Sequence, residues 1–126
     1  KYLLAVSKKE TCPEGIVPAY EKIYVDDDET KVYGMINMRL ELNDMLLKFG
    51  GHIGYSVSPD ERRKGYAKAM LSCALEFYKA KGYEKVLITC NKNNIASQKT
   101  IESAGGILEN IVEDGDVFTK RFWIYL

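Results

Sequence analysis

Val57-Ser58-Pro59-Asp60-Glu61-Arg62-Arg63-Lys64-Gly65-Tyr66-Ala67 joins an apolar run to an amphipathic one. Residues 53–57 read as a strand and the chain from Tyr66 onward as a helix, so the basic residues between them form a short loop that ends where helical amides begin. The first amides of a helix have no intrahelical partner, and the helix dipole places partial positive charge there. Such a place holds a phosphate largely by backbone. Gly65 lets a ligand approach closely, and Ala67 keeps the first turn uncluttered. The run Arg62-Arg63-Lys64 taken alone is an ordinary solvated connection. A Gly and a small residue at fixed spacing, after a strand and opening a helix, point to an anion. The loop lacks the Gly-Lys-Ser/Thr of a Walker A loop and is not a GxGxxG fingerprint.

Downstream, the spacing predicts a helix over 65–81, with Ala67, Met70, Leu71, Ala74, Leu75 and Tyr78 on one face and Lys64, Lys68, Ser72, Glu76 and Lys79 opposite. Gly82 stops it. The continuous run Val86-Leu87-Ile88 within 85–90 marks a strand covered on both faces. Strand, helix and strand at this length form a βαβ unit, so 52–57 and 85–90 should be parallel, joined by a right-handed crossover. A second helix begins near Asn94, a good N-cap, and closes at Gly105-Gly106. Strands over 107–113 and 117–125 flank the turn Asp114-Gly115-Asp116, a second hairpin.

Upstream, residues 19–25 and 31–39 are rich in β-branched and aromatic side chains around the polar turn Asp26-Asp27-Asp28-Glu29-Thr30, which reads as an antiparallel hairpin. That turn lacks the alternating ligands, central Gly and closing Glu of an EF-hand loop. Residues 40–49 carry apolar side chains at 42, 45, 46 and 49, which suits a short helical turn or a packed loop. Residues 2–6 are short and apolar, either a strand or the end of a helix.

The 126 residues suit a single domain, and 18 Lys plus Arg balance 18 Asp plus Glu, so no global field favours nucleic acid or a membrane surface. Cys12, Cys73 and Cys90 form no CxxC pair, which argues against a disulfide framework or structural zinc and favours a reducing cytoplasm. No apolar run approaches the roughly 20 residues of a membrane-spanning helix, and no signal-peptide pattern is present. A thiol hydrolase built from Cys90 and His52 fails on geometry. His52 opens one parallel strand and Cys90 ends the other, roughly 17 Å apart at about 3.3 Å per residue.

Val57-x-Pro59-x-x-Arg62-x-x-Gly65-x-Ala67 resembles the acyl-CoA-binding motif of the GNAT N-acetyltransferase superfamily, Arg/Gln-x-x-Gly-x-Gly/Ala. Asn94-Ile95-Ala96-Ser97 followed by Ile101-Glu102-x-x-Gly105-Gly106 resembles that family's second helix signature. The order of elements over about 18–126 also matches, while the family's first strand and part of its first helical pair are not apparent, as in a chain trimmed at its front. Gly51-His52-Ile53-Gly54-Tyr55 and Thr89-Cys90 are similar to a bacterial set of GNAT acetyltransferases.

The resemblance implies a single α/β domain over 1–126, a mixed, mostly antiparallel sheet with a central parallel pair and flanking helices. It implies acetyl-CoA as cosubstrate and no metal, with direct acetyl transfer to a primary amine of a small molecule or peptide. On that expectation the backbone of Arg63, Lys64, Gly65, Tyr66 and Ala67 holds the pyrophosphate, helped by the Arg62 and Lys64 side chains. The pantetheine arm follows the strand past Tyr55 and Val57, and Asn94 and Ser97 sit beside it, with Asn94 contacting the cofactor or fixing the splay of the strands. His52 stands where the family often has a Glu that takes the amine's proton, and a neutral imidazole serves as a base near its usual pKa of about 6.5. Glu41 is a second candidate. Ile101 replaces the Tyr that in many members protonates the departing thiolate. Tyr55, Tyr66 and Tyr125 are unassigned alternatives, and a noncatalytic acyl-CoA-binding module is the competing reading. A homodimer is left open.

Overall fold

A computed structural model of the chain describes residues 2–8, 19–25, 28, 31–59, 62 and 65–126. Seven strands form one sheet: β1 (Tyr2–Lys8), β2 (Ala19–Val25), β3 (Val32–Arg39), β4 (Ile53–Val57), β5 (Lys85–Asn91), β6 (Ile107–Asp114) and β7 (Val117–Tyr125). They lie in the order β1-β2-β3-β4-β5-β7-β6. Every neighbouring pair is antiparallel except β4 and β5, which run parallel as the βαβ reading requires. The stretch at 2–6 that suited strand or helix is a strand. The acidic turn lies mostly outside the described residues.

Helix α1 (Tyr66–Ala80) makes the crossover and helix α2 (Ile95–Ser103) follows β5. Met70, Leu71, Ala74 and Tyr78 of α1 and Ile101 of α2 are buried with Ile36, Met38, Ile53, Val86, Ile88, Phe122 and Ile124 in one core. Burial of the expected α1 face follows from its spacing of three and four residues, which stacks side chains over the sheet. Ala67 departs from that face and is only half-buried, because the first turn borders a groove and not the sheet.

Val86, Leu87 and Ile88 are all buried, although consecutive side chains point to opposite faces. The face away from the helices is covered near Leu87 by a π-helical turn, Leu46–Gly50, the packed segment expected between the hairpin and the basic loop.

Parallel pairing between β4 and β5 is confined to one rung, Ile53 with Ile88. Beyond it the two strands diverge. His52 donates its amide to the Leu87 carbonyl at 2.7 Å, which sets its height in the sheet. Cys90 is therefore three residues along β5 from His52's partner, roughly 10 Å at 3.3 Å per residue and not the 17 Å expected. The register, which sequence alone does not give, makes the difference, and the separation still forbids a Cys–His dyad.

Candidate active site

The basic loop and α2 meet over the divergence of β4 and β5. Tyr55, Val57, Arg62, Gly65, Tyr66, Ala67, Asn94 and Ser97 line a single groove of about 620 Å³. Eight of the ten side chains or backbone positions expected at a cofactor site thus share one cavity. Arg63 and Lys64, the other two, lie outside the described residues. Ser56, Lys68, Ala96 and Thr100 complete the lining. Sequence reasoning missed those four, although Ala96, Ser97 and Thr100 follow the spacing of one helix face.

Gly65 adopts a left-handed conformation, φ 84°, at the start of α1, and a Cβ built there meets nothing within 4 Å. The helix opens without a capping side chain, toward the groove, and Arg62 and Lys68 lie at the same end. This is the chemistry of an anion seat: backbone donors, a positive helix end and two cations. Asn94 behaves differently, since its Oδ1 accepts from the Ser97 amide at 3.1 Å and caps α2. Its first task is local, and it reaches the groove while performing it.

A second cavity of about 270 Å³ adjoins the first where the strands diverge, and Tyr55, Asn94 and Ser97 line both. The Tyr55 phenol and the Ser97 hydroxyl are 2.9 Å apart at this junction. Burial, the largest influence, pushes the Tyr55 phenol above its ordinary pKa, so it stays protonated and can donate. Cys90 lines the second cavity, and burial likewise raises its thiol, which keeps it un-ionised and poorly nucleophilic.

His52 lines neither cavity. It is only 8% exposed, its ring packs edge-on against Tyr78 and Tyr83, and its Nδ1 accepts the Leu87 amide at 2.9 Å. Desolvation, followed by the nearby Arg39 charge, lowers its pKa to about 4. The address that suggested a base puts the imidazole in the core between β4, β5 and α1. A local motif cannot reveal this, because the groups that enclose the ring, Tyr78, Tyr83 and Leu87, are distant in the chain. Glu41 also lies outside both cavities, near Tyr83. Ile101 is fully buried in the core, and its side chain does not line the groove. Tyr66 lines the groove and stacks on Tyr33, whereas Tyr125 is exposed at the end of β7. Among the described residues no cluster of His, Cys, Asp or Glu suits a metal ion, and no helix is long and apolar enough to cross a membrane.

A mixed sheet whose central parallel strands part beneath the start of a helix defines an α/β architecture with a groove over its centre. The acetyltransferase (GNAT) domain family matches residues 8–107, and the chain belongs to that family. Three solved structures share the fold. The ribosomal-protein-S5-alanine acetyltransferase of Vibrio fischeri is 18% identical with TM-score 0.72 over 85% of this chain and 61% of its own. A spermidine N-acetyltransferase variant, SpeG F149A of Vibrio cholerae, is 15% identical with TM-score 0.69 over 85% of this chain and 65% of its own. YncA of Salmonella typhimurium, solved with its cofactor acetyl-CoA, is 16% identical with TM-score 0.66 over 86% of this chain and 65% of its own. The chain thus spans less than two thirds of the length of each of these three. A comparison with curated protein sequences finds no match.

Proposed function

We propose that this domain, read as one unit over 1–126, is an N-acetyltransferase that moves an acetyl group from acetyl-CoA to a primary amine by direct attack. The observation that carries the reading is the groove that runs from the helix end at Gly65 to Tyr55 and Ser97, with a second cavity lined by the same two residues between the parted strands. Its two ends suit the two ends of the cosubstrate: cations and helical amides for pyrophosphate, and a narrower space for the thioester. Strand edges freed by the parting of β4 and β5 offer backbone partners to the pantetheine amides along the way.

In the ternary complex the amine nitrogen attacks the thioester carbonyl, the carbon–sulfur bond breaks, and the amine's proton passes to water. The thiolate of CoA takes a proton from the Tyr55 phenol, which stands at the junction and recovers one from solvent. His52 serves as a positioning residue: its uncharged ring holds the Leu87 amide one residue before the Ile53–Ile88 rung, beyond which the strands diverge. Free Cys73 and Cys90 fit a reducing compartment, so we infer a cytoplasmic setting.

The burial of Ile101 favours one competing reading, a module that binds acyl-CoA without turning it over. Two measurements separate these outcomes. Isothermal titration with CoA and acetyl-CoA should show binding below millimolar concentration, and its absence would refute both. Release of CoA on addition of a panel of primary amines then identifies the enzyme, and silence across the panel with binding retained supports the module.

A further inference from the structure

Residues 46–50 form a π-helical turn, a rare conformation that frequently accompanies functional sites. Five residues cannot hold such a turn by their own hydrogen bonds. Here its carbonyls are held from three strands. Arg121 Nε of β7 donates to the Leu47 carbonyl at 2.8 Å, Thr89 Oγ1 of β5 to the Phe49 carbonyl at 2.7 Å, and Arg39 of β3 to the carbonyls of Gly50 and Gly51 at 3.1 and 3.0 Å. Arg39 reaches this position because Gly54 has no side chain; a Cβ there would lie 3.1 Å from the guanidinium.

The turn carries Phe49 to the cavity between the parted strands. Tyr55, Asn94 and Ser97 belong to both cavities and mark the junction, whereas Phe49, Gly50, Ile53, Gly54, Thr89 and Cys90 belong to the second alone. Phe49 is the largest of those six side chains and limits the space most for a chain entering past Tyr55. The second cavity, about 270 Å³, has less than half the volume of the groove before it, and the thioester, the acyl tail and the approaching amine must share it.

We propose that Phe49 is the specificity-determining residue for the acyl donor, restricting it to short-chain acyl-CoA thioesters, and that Thr89 positions it. This rests on the reading of the groove as a CoA site. Isothermal titration with CoA, acetyl-CoA, butyryl-CoA and octanoyl-CoA tests it in wild type, Phe49→Ala, the milder Phe49→Leu, and Thr89→Val, which is close in shape but lacks the hydroxyl. Wild type should bind acetyl-CoA and butyryl-CoA at least as tightly as CoA, and octanoyl-CoA at least tenfold more weakly. Each methylene seated in an enlarged pocket is worth about fourfold in affinity. Phe49→Ala should therefore recover octanoyl-CoA by tenfold or more relative to CoA, with Phe49→Leu and Thr89→Val recovering part of it and CoA itself unchanged within twofold. The unchanged CoA affinity also reports that each variant is folded. An octanoyl-to-CoA ratio in Phe49→Ala equal to that of wild type overturns the proposal, as does a wild type that binds octanoyl-CoA as well as CoA. If wild type binds no CoA, the groove reading fails and takes this one with it. If CoA binds and the ratio does not move, only the gauge fails.

Discussion

Replacing Gly65 by Ala separates backbone strain from ligand contact, because Gly82 supplies a matched control. Both residues are left-handed, φ 84° and φ 90°, and a Cβ at either meets nothing within 4 Å. An L-residue in this conformation costs about 1 kcal/mol. Each variant should lose about that much stability, roughly 4 °C in Tm for a chain of this size. The strain is present with and without ligand, so it cancels from the binding free energy. What remains is the methyl group itself, which at Gly65 stands at the groove and at Gly82 does not. Displacing a phosphate from one charge-assisted backbone hydrogen bond costs about 1.5–3 kcal/mol, a loss of about ten- to hundredfold in affinity. Thermal melts and isothermal titration with CoA on the two variants give both quantities. Equal CoA affinity in Gly65→Ala and Gly82→Ala would refute the assignment of the helix end as the phosphate seat.

The other tests address the centre of the sheet and the proton donor. His52→Asn keeps an acceptor for the Leu87 amide and should retain CoA binding and turnover; loss of turnover with binding retained would restore the imidazole as the base. Because the folded pKa of His52 lies at about 4, below the ordinary 6.5, the unfolded chain binds the extra proton first, so its contribution is complete above pH 6.5 and is lost as pH falls toward 4. Urea midpoints measured across that window should fall more steeply in wild type than in His52→Asn. Tyr55→Phe should lower kcat about tenfold or more with little change in KM for acetyl-CoA, and an unchanged kcat would remove Tyr55 as the donor. Ile101→Tyr should destabilise the protein by about 1–3 kcal/mol through overpacking, without raising turnover; a faster enzyme would mean that this position reaches the thioester.

Periodicity made the frame legible. Met70, Leu71, Ala74 and Tyr78 repeat at helical spacing and are buried, and Val86-Leu87-Ile88 reads as a strand covered on both faces and is one. The groove was legible too, since Arg62, Gly65, Tyr66 and Ala67, which line it, are close together in the chain, and Asn94 announces α2 by capping it. His52 was not. Its neighbours Tyr78, Tyr83 and Leu87 come from 26 to 35 residues away, and their packing decides whether the imidazole meets solvent or core. The turn at 46–50 was half legible: its apolar residues forecast packing, but the donors Arg39, Thr89 and Arg121 that fix it are spread over three strands.

The sequence by itself determined the order of strands and helices from residue 19 onward, the parallel βαβ unit and the helix start at Gly65 that opens on the groove, because each depends on spacing and on backbone groups a few residues apart. Only the tertiary structure decided which side chains stand at the far end of the groove. The register of β4 on β5 lowers Cys90 to within about 10 Å of the level of His52, Tyr78 and Tyr83 enclose the His52 ring, and donors from distant strands hold the turn that brings Phe49 to the cavity. Register and side-chain facing depend on pairings between strands far apart in the chain, and no local pattern encodes them.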